Sequence, residues 1–347
     1  MTNKMNNQSD LSQFKASNND ISIFAPISIG NISVGFDSLG MALLPISTSS
    51  STQNDKNNCN DELIGDIVHI KVATKNCDSL TQQGSYCHTL PEDVNDNIVW
   101  RALVNFNQAF ISRGGVAINV DMTLEKNIPI CSGLGSSSCS IVAALVALNE
   151  FYTKPFSNDE LLLMMGELEC VITGSTHYDN LAPCFLGGLQ LMLSNDLDKI
   201  CQSLPIFEDC FWIIAYPDIE VSTRKAREIL PKEYSIKTLT QSCQNIAGFV
   251  DACYRQDKAQ AFSLLIDKVA EPYRESLLKN FKITKDELLD AGCLSVGISG
   301  SGPTIFTVAD SMELAEKAKK IMCEKYATSE QSIVEICEVD RTGARLI

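Results

Sequence analysis

Apolar and polar positions along the chain fall into strand-like and helix-like stretches that alternate from end to end. "ISIFAP" (Ile21 to Pro26) and "DIVHIKVAT" (Asp66 to Thr74) alternate with period two, the signature of strands. "GVAINVDMTLEK" (Gly115 to Lys126) and "SIVEICEV" (Ser332 to Val339) repeat that pattern. "CFWIIAYP" (Cys210 to Pro217) is continuously apolar and predicts a buried strand. Helical periodicity covers 97–112, about 136–152, 157–174, several stretches between 222 and 290, and about 311–326. Ser157 supplies an N-cap to the third of these segments, with Asp159 and Glu160 in its first turn. "CLSVGISGSGPTIFTVAD" (Cys293 to Asp310) predicts strand, glycine turn, strand. Strands and helices intermix without a regular βαβ series, so the expected class is α+β.

Polar segments set the expected boundaries. Residues 1–20 are rich in Asn and Ser, carry no apolar signal-peptide region, and predict a disordered tail. Ser47 to Asp61 predicts an inserted surface loop, and Lys75 to about Glu92 a second polar loop. The turn-rich stretch from Ser194 to Pro205 divides two expected domains, 21–195 and 205–347.

Charge and cysteine usage narrow the function classes. The net charge of −15 offers no basic face for a nucleic-acid backbone. No apolar run approaches the roughly 20 residues of a membrane span. The 14 cysteines are scattered, without a CxxC pair or a His partner at finger spacing, which fits a reduced cytoplasmic compartment. A catalytic thiol would have to be Cys131 or Cys139, and no base lies near either in sequence.

The candidate chemistry begins with "IPICSGLGSSSCS" (Ile128 to Ser140). Gly133 and Gly135 allow close backbone approach, and Ser136 to Ser138 open a helix whose N–H groups and dipole favour an anion. An ordinary capped turn explains the same residues equally well. The loop is not Walker A, because no Lys follows Gly135; it is neither GxGxxG nor a GxSxG elbow. Without that Lys, phosphate charge must be met by backbone dipoles, a metal and another cation, for which Lys126 lies just upstream. A Mg²⁺ would need a hydroxyl and a carboxylate, and of Glu167 and Glu169 at most one can face the loop. "STHYDN" (Ser175 to Asn180) is dense in polar groups, and Arg224, Arg227 and Arg274 could clamp a carboxylate.

In this order these segments resemble the GHMP kinases. "IPICSGLGSSSCS" is similar to their PxxxGLGSS signature, "APISIGNISVGFDSLGMAL" to the first motif and "GISGSGPTIF" to the third. "MGELECVITGSTHYDNLAPCFLGG", "VSTRKAREILP" and "EPYR" resemble the homoserine kinase branch, and the likeness spans about residues 21–347. It implies the GHMP kinase fold: a ribosomal protein S5 domain 2-like N-terminal domain and a ferredoxin-like C-terminal domain, with the site between them. It implies transfer of the γ-phosphoryl of ATP to L-homoserine on the threonine pathway, with Mg²⁺, and a homodimer as the assembly.

Carried over by motif, Pro129, Ile130, Cys131, Ser132, Gly133, Leu134, Gly135, Ser136, Ser137, Ser138 and Cys139 would wrap the ATP phosphates. Ser137 and Glu169 would hold Mg²⁺, Lys126 would lie near the phosphates, and Asn97 would sit by the adenine. Asn31, Asp37, His177, Asn180, Thr223, Arg227 and Arg274 would line the amino-acid site, and Gly300 to Gly302 would support the phosphate loop. Asn180 stands where mevalonate kinase relatives carry an Asp thought to act as base; an amide cannot take that proton, so transfer without a dedicated protein base is expected. Ile29, bulkier than the residue usual there, is expected to narrow the pocket, and Ser138 replaces a usual Ala. Another small alcohol as acceptor, an ATP-binding sensor of the same fold and a serine hydrolase are the rival readings.

Overall fold

A computed structural model describes residues 10–17, 19–46, 64–193 and 199–347. The expected insert at Ser47 to Asp61 lies outside the described residues. So do residues 1–9 of the expected tail, whereas Leu11 is buried and its N–H donates to the Arg113 carbonyl, so residues 10–17 run along the body of the protein.

The first half is built from β1 (Ile21–Gly30), β2 (Leu39–Pro45), β3 (Gly65–Val72), β4 (Ser79–Gln83), α1 (Ile98–Ser112), β5 (Val120–Glu125), α2 (Ser136–Phe151), α3 (Asn158–Thr173), α4 (Leu181–Leu186) and β6 (Leu189–Met192). The second half runs β7 (Cys201–Leu204), β8 (Phe211–Tyr216), α5 (Thr223–Glu228), α6 (Ile236–Arg255), α7 (Lys258–Ser263), α8 (Glu271–Arg274), α9 (Phe281–Asp290), β9 (Ser295–Ile298), β10 (Ile305–Ala309), α10 (Met312–Lys325), β11 (Ile333–Val339) and β12 (Arg345–Leu346).

One sheet runs through both halves in the order β4-β5-β3-β1-β2-β11-β8-β10-β9. Its second part, β11-β8-β10-β9, follows a strand–helices–strand–strand–helix–strand path with all neighbours antiparallel, the split βαβ arrangement of a ferredoxin-like domain. The halves are joined by backbone: β2 pairs with β11 from Leu43 to Pro45, and β12 returns to pair with β1. The stretch expected to link the domains carries β7, which pairs with β6.

α2 is apolar on every side because every side is covered, by β1 and β3 below and by α1, α3 and α4 around it. Phe106 and Phe110 of α1 meet Tyr152 and Phe156, with ring centroids 4.7–5.8 Å apart between pairs, and close that layer. α3 begins with the expected cap, the Ser157 hydroxyl accepting from Glu160 N–H while the Glu160 carboxylate accepts from Ser157 N–H. This packing fixes the N-terminus of α2 and the inner face of α3 against each other, and the candidate chemistry sits there.

Candidate active site

The phosphate-loop candidate is an uncapped helix start. Gly135 occupies the N-cap of α2 at φ 68°, with no side chain to accept from the first-turn N–H groups of Ser136 to Ser138. Above it the chain is pinned from the other half: Ser299 Oγ donates to the Gly133 carbonyl at 2.5 Å, and Thr304 N–H donates to the Ser132 carbonyl at 3.1 Å. Gly133, at φ 82°, must be glycine, since a Cβ there would sit 2.8 Å from the Ser299 carbonyl oxygen and 2.9 Å from that of Gly302. Pro129, Leu134 and Cys139 anchor the loop in buried positions, and the Cys139 thiol donates to the Pro26 carbonyl. Cys131 is exposed, but partial burial pushes its thiol pKa upwards, away from an activated nucleophile. The cysteines among the described residues are all free thiols.

The three serines divide their work. Ser136 Oγ donates to the Ile128 carbonyl at 3.2 Å and locks the loop, Ser138 is buried, and Ser137 Oγ donates to Glu169 Oε1 at 3.3 Å. Glu169 reaches Ser137 from the buried face of α3. Its other oxygen, Oε2, is buried with no partner among the described residues. Burial lifts the carboxyl to about 7, against the lowering effect of the Ser137 hydroxyl. An orphan carboxylate oxygen beside a hydroxyl, at the mouth of an anion site, fits a hard divalent cation that takes further oxygens from phosphate and water.

Lys126 is not at that mouth. Its ammonium is buried beneath α2, donating to Asp66 Oδ2 at 2.5 Å, Ser136 carbonyl oxygen at 2.9 Å and Ser140 Oγ at 3.1 Å. All three donors are engaged, which leaves none for the phosphates that Lys126 was expected to lie near, and its place among the ATP-binding residues is corrected: it ties the first turn of α2 to the sheet. Asn97 caps α1, its Oδ1 accepting from Val99 N–H, while its buried Nδ2 has no partner among the described residues.

The residues expected around an amino-acid acceptor come together. Asn31 Oδ1 accepts from Asp37 N–H at 2.8 Å and its Nδ2 donates to the Gly300 carbonyl at 3.0 Å. These bonds hold a left-handed run, Asn31 to Ser33 at φ 66°, 41° and 55°, which is strained above all at β-branched Ile32. Arg227 Nη2 donates to both oxygens of Asp37, at 2.8 and 3.0 Å. Arg274 is 3% exposed and donates to the carbonyls of Gly300 and Ala226. Thr223 Oγ1 meets Ser301 Oγ at 3.3 Å, and Arg224 faces solvent. His177 lies 3.7 Å from Asp37 and 2.6 Å from Ser175 Oγ; burial lowers its pKa, so it is a neutral imidazole at pH 7. Asn180 Oδ1 accepts from Ser28 Oγ at 3.0 Å, beside the Cα of Gly135.

Strand alternation corrects one expectation. Ile27 and Ile29 of β1 point into the core, and Ile29 is fully buried, so it does not narrow the pocket. The neighbouring positions, Ser28 and Gly30, face Asn180, and a Cβ on Gly30 would reach Asp179 Oδ2 at 2.5 Å and Asn180 Nδ2 at 2.6 Å. Sequence reasoning noted Asp179 within the polar stretch 175–180 but gave it no role. It is buried next to Asn180, and burial, then Asp37 and Glu169, lift its carboxyl to about 7. Sequence reasoning missed Asp66, the partner of Lys126, and Phe36, whose ring lies under two guanidiniums: Arg227 at 5.3 Å and Arg274 at 5.6 Å from its centroid.

A helix N-terminus open to an anion, a serine–glutamate pair at its mouth and a second half clasping the loop define a phosphotransferase of the GHMP type. Residues 97–188 match the GHMP kinases N terminal domain and residues 250–328 the GHMP kinases C terminal domain. The chain belongs to the GHMP kinase family. Within it, the chain is a member of the homoserine kinases: it is 46% identical over 327 residues to the homoserine kinase of Buchnera aphidicola subsp. Acyrthosiphon pisum strain Tuc7, covering 94% of this chain and 99% of that one. The crystal structure of homoserine kinase from Cytophaga hutchinsonii ATCC 33406 superposes with a TM-score of 0.83 at 31% identity, over 96% of this chain and 99% of the other. L. major mevalonate kinase, solved in complex with R-mevalonate, shares the fold with a TM-score of 0.68 at 12% identity, over 94% and 99% of the two chains. Among the described residues no helix is long and apolar enough to cross a membrane.

Proposed function

We propose that this chain transfers the γ-phosphoryl group of ATP to the side-chain hydroxyl of L-homoserine, giving O-phospho-L-homoserine, a step of threonine biosynthesis carried out in the cytoplasm. One observation carries this reading: Arg227 and Arg274 come together over the Phe36 ring, while Asn180 lies against the Gly135 turn of the phosphate loop. An acceptor with a carboxylate at one end and a hydroxyl at the other suits a guanidinium pair and an amide beside the phosphate loop.

The first-turn N–H groups of α2 receive the ATP phosphates, and the clasp of Ser299 and Thr304 on the loop keeps them pre-aimed. Ser137 and Glu169 would hold Mg²⁺, which when bound neutralises phosphate charge. The unpartnered Asn97 Nδ2 is free to donate to a ring nitrogen of adenine. Arg227 and Arg274 take the homoserine carboxylate, Asp37 and Asn31 the amino end, with His177 and Thr223 closing the pocket. Asn180 positions the attacking hydroxyl in line with the γ-phosphoryl group. An amide removes no proton; the loose transition state of phosphoryl transfer asks little of the nucleophile, and positioning and charge neutralisation carry the rate.

The test is ADP release by the purified protein with ATP and Mg²⁺ across homoserine, serine, mevalonate and galactose. Homoserine should dominate by at least about tenfold in kcat/KM, since the competitors lack either the carboxylate spacing or the amine. Release with homoserine no greater than with the other three would overturn the assignment.

A further inference from the structure

Phe36 is an aromatic residue without a core to belong to. It is half-buried, and it is part of neither apolar cluster formed by the described residues. Its ring instead lies under the guanidiniums of Arg227, from α5, and Arg274, from α8, at 5.3 and 5.6 Å. Both distances are within cation–π range, where the negative face of the ring attracts a cation. The chain is bent to put the ring there: Gly35 admits no Cβ because Leu39 packs on it, and Asp37 follows at φ 54° with its N–H held by Asn31.

The two arginines need such a holder. They carry like charges, and burial, with a smaller effect from Arg227, pulls Arg274 below its ordinary pKa. Their hydrogen bonds occupy only part of each: Nη2 of Arg227 on Asp37, and Nε and Nη1 of Arg274 on two backbone carbonyls. Neither set of bonds ties one guanidinium to the other. Among the described residues, the Phe36 ring makes a cation–π contact to both.

We infer that Phe36 is a positioning residue that holds Arg227 and Arg274 as one clamp for the carboxylate of the acceptor. The inference rests on the reading of the site as a homoserine kinase. It assigns Phe36 to acceptor affinity, because the groups its ring holds are the two guanidiniums.

The test compares wild type, Phe36→Leu, and the protein carrying 3,4,5-trifluorophenylalanine at position 36, which keeps the ring's shape and drains charge from its face. Removing both contacts should raise the KM for homoserine roughly five- to thirtyfold, with kcat and the KM for ATP within about twofold. The trifluoro variant should move homoserine KM the same way by a smaller factor, at unchanged Tm; this shift separates a cation–π role from packing and does not depend on the leucine variant folding. Homoserine KM within about twofold of wild type in the trifluoro protein, or ATP KM rising by the same factor, overturns the inference. A wild-type protein inactive on homoserine overturns the proposed function instead.

Discussion

Lys126 gives the sharpest contrast between a residue that binds phosphate and one that builds the site. Replacing it with Met keeps most of the stem and removes the ammonium. Asp66, with no measurable exposure, then loses its counter-charge. Breaking a buried pair on one side costs about 3–5 kcal/mol, because the remaining charge is stranded in low dielectric. For a chain of 347 residues the unfolding entropy is roughly 0.7 kcal/mol/K, which converts that loss into a Tm drop of about 4–7 °C. Adding Asp66→Asn removes the stranded charge and should recover about half of the loss. The assay is thermal unfolding of Lys126→Met, the double variant and wild type, paired with ATP kinetics. Loss of a charge-assisted phosphate contact would cost about 1.5–3 kcal/mol, at least about tenfold in KM for ATP, with Tm unmoved. That second pattern would refute the buried-clamp account; the expected one is a lower Tm with ATP KM within about threefold.

Three further outcomes follow from the same geometry. Glu169→Gln keeps the shape and the Ser137 contact but removes the carboxylate charge, and should raise the Mg²⁺ concentration needed for half-maximal rate by about tenfold or more; an unchanged Mg²⁺ titration would show that the pair holds no metal. Gly133→Ala places a Cβ 2.8 Å from the Ser299 oxygen at φ 82°, costing at least about 1–2 kcal/mol from the backbone alone and loosening the clasp, so ATP KM should rise as Tm falls; a variant with wild-type values of both would remove the clasp from the account. Asp179→Asn tests linkage: the folded carboxyl titrates near 7 and the unfolded one near 3.8, so between about pH 4 and pH 7 the unfolded state releases its proton first and stability falls as pH rises. That slope should flatten in the variant by on the order of 3–4 kcal/mol at most, read by urea denaturation at pH 4.5 and 7.5 without nucleotide, while kcat stays within about tenfold; a thousandfold loss of kcat in a folded variant would make Asp179 the base that the proposed mechanism leaves out.

What could be read from the sequence depended on where each signal resides. β1, β3 and β8 were legible because one or both faces are buried, and burial writes itself as alternation or as a continuous apolar run. The capping box of α3 was legible because its chemistry is local, Ser157 and Glu160 being three residues apart. β4 ("SLTQQ"), β7 ("CQSL") and β12 ("RL") were not, since short peripheral strands are held by ladder hydrogen bonds and need no apolar face. The same division runs through the site. Motif order singled out Asn31, Asp37, Asn180, Arg227 and Arg274 as a group, and the fold gathers them. Lys126 was misplaced because its partner lies 60 residues upstream, and no spacing rule announces a pairing at that distance. Ile29 was misplaced because one residue of strand register exchanges core face for site face, so the constraint falls on Gly30. Phe36 and Asp179 were given no role for a common reason. Each is an ordinary residue whose role comes from what lies over it: two guanidiniums on a ring face, and two other carboxylates around a buried acid. On the proposed function, the family motif marks the groups that would touch ligand, whereas the groups that would aim them become visible only once distance and burial are known. Specificity for one acceptor among the GHMP kinases should therefore be altered by changing the aiming residues while the motif residues stay as they are.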